Sequence, residues 1–73
     1  MDSINIPQLE NWFTYHTPKA EQLQQYEAIR NAALAFAKVI AGHTPASADQ
    51  SAAFRKIREA VMTANASIAC EGK

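Results

Sequence analysis

The chain has one cysteine, Cys70, and two glycines in 73 residues. A lone cysteine excludes a disulfide within the chain, the usual staple of small domains. Two glycines cannot build a glycine-rich phosphate loop, and neither G-x-S-x-G nor H-E-x-x-H occurs. A basic excess is also missing: seven Lys and Arg stand against seven Asp and Glu. A general DNA or RNA surface is therefore not expected, although one or two local cations would suffice for a small phosphorylated ligand. No apolar run approaches the roughly 20 residues that a membrane helix needs. The N-terminus lacks the basic region and apolar stretch of a secretory leader. The expectation is a cytoplasmic chain with no membrane, DNA or RNA partner.

What is present is helical pattern. The length allows one domain with a marginal core, and much of the 48% hydrophobic content is alanine. Oligomerisation is the expected remedy. Residues 1–16 read as a short helix opening at Ile6-Pro7, with Leu9, Trp12 and Phe13 on one face, followed by an aromatic loop. Residues 17–41 read as a long helix capped by Thr17, with Pro18 in its first turn and Gly42 as its stop. Its seam is Tyr26, Ile29, Ala33, Phe36 and Ile40. Residues 42–47 form a loop, and Ser47 with Gln50 reads as a capping box. Residues 48–70 form a second long helix with the seam Phe54, Ile57, Val61, Ala64 and Ile68. Residues 71–73 read as a frayed tail. The fold class is all-α: a short N-terminal helix and a long antiparallel helical hairpin, assembling into a compact oligomer. Alanines off the seams, such as Ala28, Ala35, Ala53 and Ala60, fit either close packing against other copies or plain helix propensity.

No catalytic group and no cofactor are expected. His16, His43 and Cys70 match no zinc spacing, so no metal is expected. Cys70, near a helix C-terminus, reads as a small apolar packing residue. Arg55, Lys56, Arg58 and Glu59 read as a solvated face. Arg30 lies mid-helix beside the seam, either paired with Glu27 or presenting its planar fork to phosphate. Asn65 and Thr63 sit among apolar neighbours, where a buried amide needs a partner from another helix or from a ligand. Trp12 and Phe13 read as cover for the end of the hairpin. Tyr15 is then either a loop residue or a stacking surface beside a helix N-terminus, where free N–H groups favour an anion.

Four motifs in order resemble a known family: F-x-Y-H-x-P (Phe13 to Pro18), Y-x-x-I-R (Tyr26 to Arg30), P-x-S (Pro45 to Ser47) and A-V-M-x-A-N-A-x-I-A (Ala60 to Ala69). They resemble the small phage anti-CBASS proteins that sequester cyclic oligonucleotides, the second anti-CBASS family. The resemblance implies an all-helical hexamer that binds cyclic dinucleotides, such as cyclic GMP-AMP, between paired protomers and cuts nothing. Sequestration silences CBASS signalling in the cytoplasm of the infected bacterial cell. On this resemblance Tyr15 stacks on a base, Arg30 meets phosphate, and Thr17 and Pro18 line the pocket; His16 matches the motif without a role. Some members also take cyclic trinucleotides near a threefold axis, but basic residues of relatives are replaced here by Cys70 and Glu71. A related hairpin occurs in anti-Thoeris proteins, which take cyclic ADP-ribose-type signals. The other class of function is a helical-hairpin module that binds a protein.

Overall fold

A computed structural model describes residues 4–73 as three helices with no strand among them. Helix α1 spans Ile6–Trp12, α2 spans Ala20–His43 and α3 spans Ala48–Ala69. Asn5 caps α1: its side chain accepts from the Gln8 N–H at 2.9 Å, and Gln8 Oε1 accepts from the Asn5 N–H at 3.1 Å. The two long helices are antiparallel, since Gln22 near the start of α2 bonds to Ile68 near the end of α3. Half-buried side chains recur along both, at Tyr26, Ile29, Ala33, Ala37 and Ile40 on α2 and at Phe54, Ile57, Val61, Ala64 and Ile68 on α3. That 3/4 spacing sets one stripe of each helix against the other.

Several local expectations are corrected. Thr17 does not cap α2, and Pro18 is not in its first turn. The cap is Lys19, whose N–H donates to Gln22 Oε1 at 2.9 Å. A glutamine at the third helical position thus satisfies the chain entry, leaving Thr17 and Pro18 in the extended segment before it. Gly42 does not stop α2, which continues to His43. The end is closed at Thr44, whose N–H and Oγ1 both donate to the Ile40 carbonyl, at 3.1 and 2.7 Å. The capping box at α3 is half formed. Ser47 Oγ accepts from the Gln50 N–H, but the Gln50 amide turns to Thr44 instead. Phe36 leaves the seam and is 57% exposed, with Ala37 half-buried in its place. Phe13 covers nothing within the chain, at 84% exposed.

The tail is built rather than frayed. The Gly72 N–H donates to the Ser67 carbonyl at 2.9 Å and the Glu71 N–H to Ile68 at 3.1 Å. This nested pair is the Schellman termination of a helix. Trp12 Nε1 donates to the Lys73 carbonyl at 3.3 Å and fixes α1 against the same turn.

No apolar side chain is buried among the described residues; Gln22, at 9% exposed, is the one buried side chain. The chain exposes 5972 Å². A folded monomer of 8.0 kDa exposes about 4,450 Å² by the usual size scaling.

Candidate functional site

The aromatic loop, the start of α2 and the turn after α3 meet at the open end of the hairpin. Between them lies a polar cleft of about 360 Å³. Gln22 forms its rigid corner, since its Oε1 holds the Lys19 N–H and its Nε2 donates to the Ile68 carbonyl at 3.1 Å. Asn11 ties α1 to the opposite wall through Nδ2 to the Cys70 carbonyl at 3.4 Å. His16 Nε2 lies 2.7 Å from the Asn11 carbonyl, which turns the loop back over the cleft. That bond leaves the next ring, Tyr15, projecting outward with 81% of its surface exposed. Tyr15 and Thr17 both line the cleft.

Charge in the cleft comes from Lys19, Lys73 and Glu71. Lys19 Nζ and Glu71 Oε1 are 2.6 Å apart, the one ion pair among the described residues. The hydrogen bond, and then the opposite charge, holds the Glu71 carboxyl below its ordinary range and raises the Lys19 ammonium. Of the two alternatives for Arg30, the pair with Glu27 is not formed, and Glu59 makes no ion pair with Arg55 or Lys56.

The site residues expected from sequence therefore divide. Tyr15 and Thr17 stand together at the cleft. Pro18 precedes α2 without lining it, and Arg30 lies exposed in mid-α2, bordering neither this cleft nor the larger groove. Lys19, Gln22 and Asn11 were not singled out by sequence reasoning, and Glu71 only as a departure from the basic residues of relatives. Lys19 and Glu71 are 52 positions apart, so no local pattern could have joined them. The one available signal was the cation directly after the Y-H-x-P motif.

Between the two long helices runs an apolar groove of about 700 Å³, lined by Ile29, Phe36, Ile40, Ile57 and Val61 among others. Asn65 Oδ1 is buried with no partner among the described residues. Thr63 resolves its ambiguity locally, donating to the Glu59 carbonyl at 2.9 Å. His43 sits at the loop end beside the Val39 carbonyl, away from His16 and Cys70 at the open end. No helix among the described residues is long and apolar enough to cross a membrane.

The chain matches no curated protein and no solved structure. The family described as Acb2/Tad1, hairpin domain, matches residues 5–69. That span takes in the aromatic loop, both long helices and the loop that joins them. The protein belongs to the Acb2/Tad1 hairpin family, the anti-CBASS sponges, whose members act by binding a signal rather than by transforming it.

Proposed function

We propose that the protein binds and sequesters cyclic dinucleotide second messengers, such as cyclic GMP-AMP, and thereby blocks CBASS signalling in the cytoplasm of an infected bacterial cell. The observation that carries this reading is Tyr15: a ring 81% exposed on the rim of a polar cleft that also holds cations. An exposed ring next to a cation suits a base joined to a phosphate. Tyr15 stacks on the base, Thr17 and Pro18 shape the entry, and Arg30 meets phosphate. Since Arg30 and the Tyr15 cleft lie apart on one chain, the complete site takes Arg30 from a second protomer. A twofold pairing then supplies two rings and two guanidinium groups to a ligand that is itself roughly twofold.

The surface supports such pairing. The excess over a monomer of this mass is on the order of 1,500 Å², and a standard interface removes about 800 Å² from each partner. Two different interfaces per protomer build assemblies beyond a dimer, which fits a hexamer. Asn65 Oδ1, unpartnered among the described residues, and the uncovered apolar groove fit the same reading.

Isothermal titration with cyclic di- and trinucleotides and a cyclic ADP-ribose tests the proposal. Heat release and chromatography of the bound ligand follow. Stoichiometric binding with intact cyclic dinucleotide recovered is the expected result. Absence of binding favours the protein-interaction module, a linear product favours an enzyme, and preference for the cyclic ADP-ribose reassigns the signal.

A further inference from the structure

Glu71 is the one non-glycine residue among those described that is held at positive φ, at +56°. This is the position after the helix cap where glycine is the usual occupant, because a side chain there is strained. The strain is not needed to shape the turn. A glycine would make the same two backbone bonds, to Ile68 and through Gly72 to Ser67, with less resistance. What the glutamate adds is its ion pair with Lys19 at 2.6 Å. Both side chains are more than half exposed, at 58% and 51%, and exposed pairs hold structure only weakly. A disfavoured backbone kept for a weak structural contact points to a role in binding.

The place of the pair supplies that role. It spans the cleft whose rim carries Tyr15, with Thr17, His16 and Lys73 around it. We infer that Lys19 is a phosphate-contacting residue of this cleft and that Glu71 is its resident counter-ion, displaced when the phosphodiester of a bound nucleotide enters. The inference rests on the reading of the protein as a cyclic dinucleotide sponge. The Lys19 ammonium has three donors, and the carboxylate accepts one of them. Exchanging an exposed carboxylate for a phosphodiester of equal charge leaves the net charge of the cleft unchanged. Glu71 then turns to solvent from a turn that lies at the surface already.

The exchange also selects among anions. An anion that offers charge alone must compete with Glu71 for Lys19. A nucleotide offers charge and a base that stacks on Tyr15, so it gains what the carboxylate cannot match. The counter-ion thus keeps the cleft closed to free phosphate while leaving it open to a nucleotide.

The test is calorimetric titration of cyclic GMP-AMP into wild-type protein and into Lys19→Gln, Glu71→Gln and the double variant. Circular dichroism and light scattering check that fold and mass are kept. Lys19→Gln is expected to weaken binding about fivefold and Glu71→Gln to tighten it by a similar factor. That is the size of effect a unit charge exerts at a few Å in a water-like dielectric. In the Lys19→Gln background the gain from Glu71→Gln should vanish, because Glu71 acts through Lys19. An equal gain in both backgrounds would mean that Glu71 repels ligand directly, and the counter-ion role falls. Inorganic phosphate at the same concentration should not compete; equal competition would make the cleft a simple anion site and overturn the inference. Normal wild-type binding with unchanged affinity in both single variants removes this inference alone. No binding by wild type removes it together with the sponge reading.

Discussion

Tyr15 leaves 81% of its surface exposed, so its ring carries little load in the hairpin. Tyr15→Ala should therefore keep full helicity and weaken cyclic dinucleotide binding roughly tenfold to a hundredfold, since a stacked base is worth about 1–3 kcal/mol. Arg30→Ala should do likewise, because its guanidinium has no ion pair among the described residues. Unchanged affinity in titration would remove the assigned role, and loss of helicity would make either residue structural. At Glu71 the backbone makes an opposite prediction about stability. Glu71→Gly relieves the positive φ and should raise the thermal midpoint, at fixed protein concentration, by roughly 4 °C in a domain of this size. A lower midpoint would mean that the ion pair outweighs the strain. The pair also sets a pH window. Its carboxylate contribution is present above the ordinary value of 4.5 and is lost as pH falls through the lowered pKa of Glu71. Its ammonium contribution is present below 10.5 and is lost as pH rises through the raised pKa of Lys19. Between those limits the pair should add no slope to a plot of melting midpoint against pH.

The long helices were legible because their cause is local: apolar residues at 3/4 spacing make a stripe wherever the chain is helical. Their ends were less so. Pro18 suggested a first turn, but the entry is fixed by Gln22, whose side chain serves the Lys19 N–H and the Ile68 carbonyl together. One of those bonds is local and the other joins α2 to α3, so the true start of α2 depends on the hairpin having closed. This makes Gln22 the costly residue to change. Gln22→Ala leaves the Lys19 N–H without its partner and removes the bond from α2 to the Ile68 carbonyl, which keeps only the Glu71 N–H; the loss of both bonds should destabilise the fold by about 1–3 kcal/mol in chemical denaturation. A loss under about 0.5 kcal/mol would show that water replaces both bonds. Gly42 misled for a similar reason: Thr44 satisfies the Ile40 carbonyl with two donors from outside α2, so no left-handed glycine closes the helix.

At the scale of the molecule, the fact that needs explaining is that no apolar side chain among the described residues is buried, in a chain with 48% hydrophobic residues. Two helices side by side shield one stripe each and leave the rest to water, which is the reason to expect further burial between copies. Light scattering at micromolar concentration should give a multiple of 8.0 kDa, with a hexamer expected and a monomer mass ruling the assembly out. Phe36, 57% exposed on the apolar groove, is the side chain through which to test it. Phe36→Asp should lower the mass by weakening association, because a buried unpaired carboxylate is costly. An unchanged mass would place the contact between copies on another face.

Taken alone, the sequence determined what depends on neighbours within a turn or two: three helices, two seams, a ring-rich loop ahead of α2, and the absence of a disulfide. It marked Tyr15 and Thr17 because they stand together in one short motif. Only the tertiary structure decided that the tail folds into a fixed turn and that Trp12 ties α1 to it. It also decided that Glu71 meets Lys19 across 52 positions to span the cleft. Contacts of that kind leave no period in the sequence. They arise when two antiparallel helices of matched length bring their far ends together, and that geometry belongs to the folded chain.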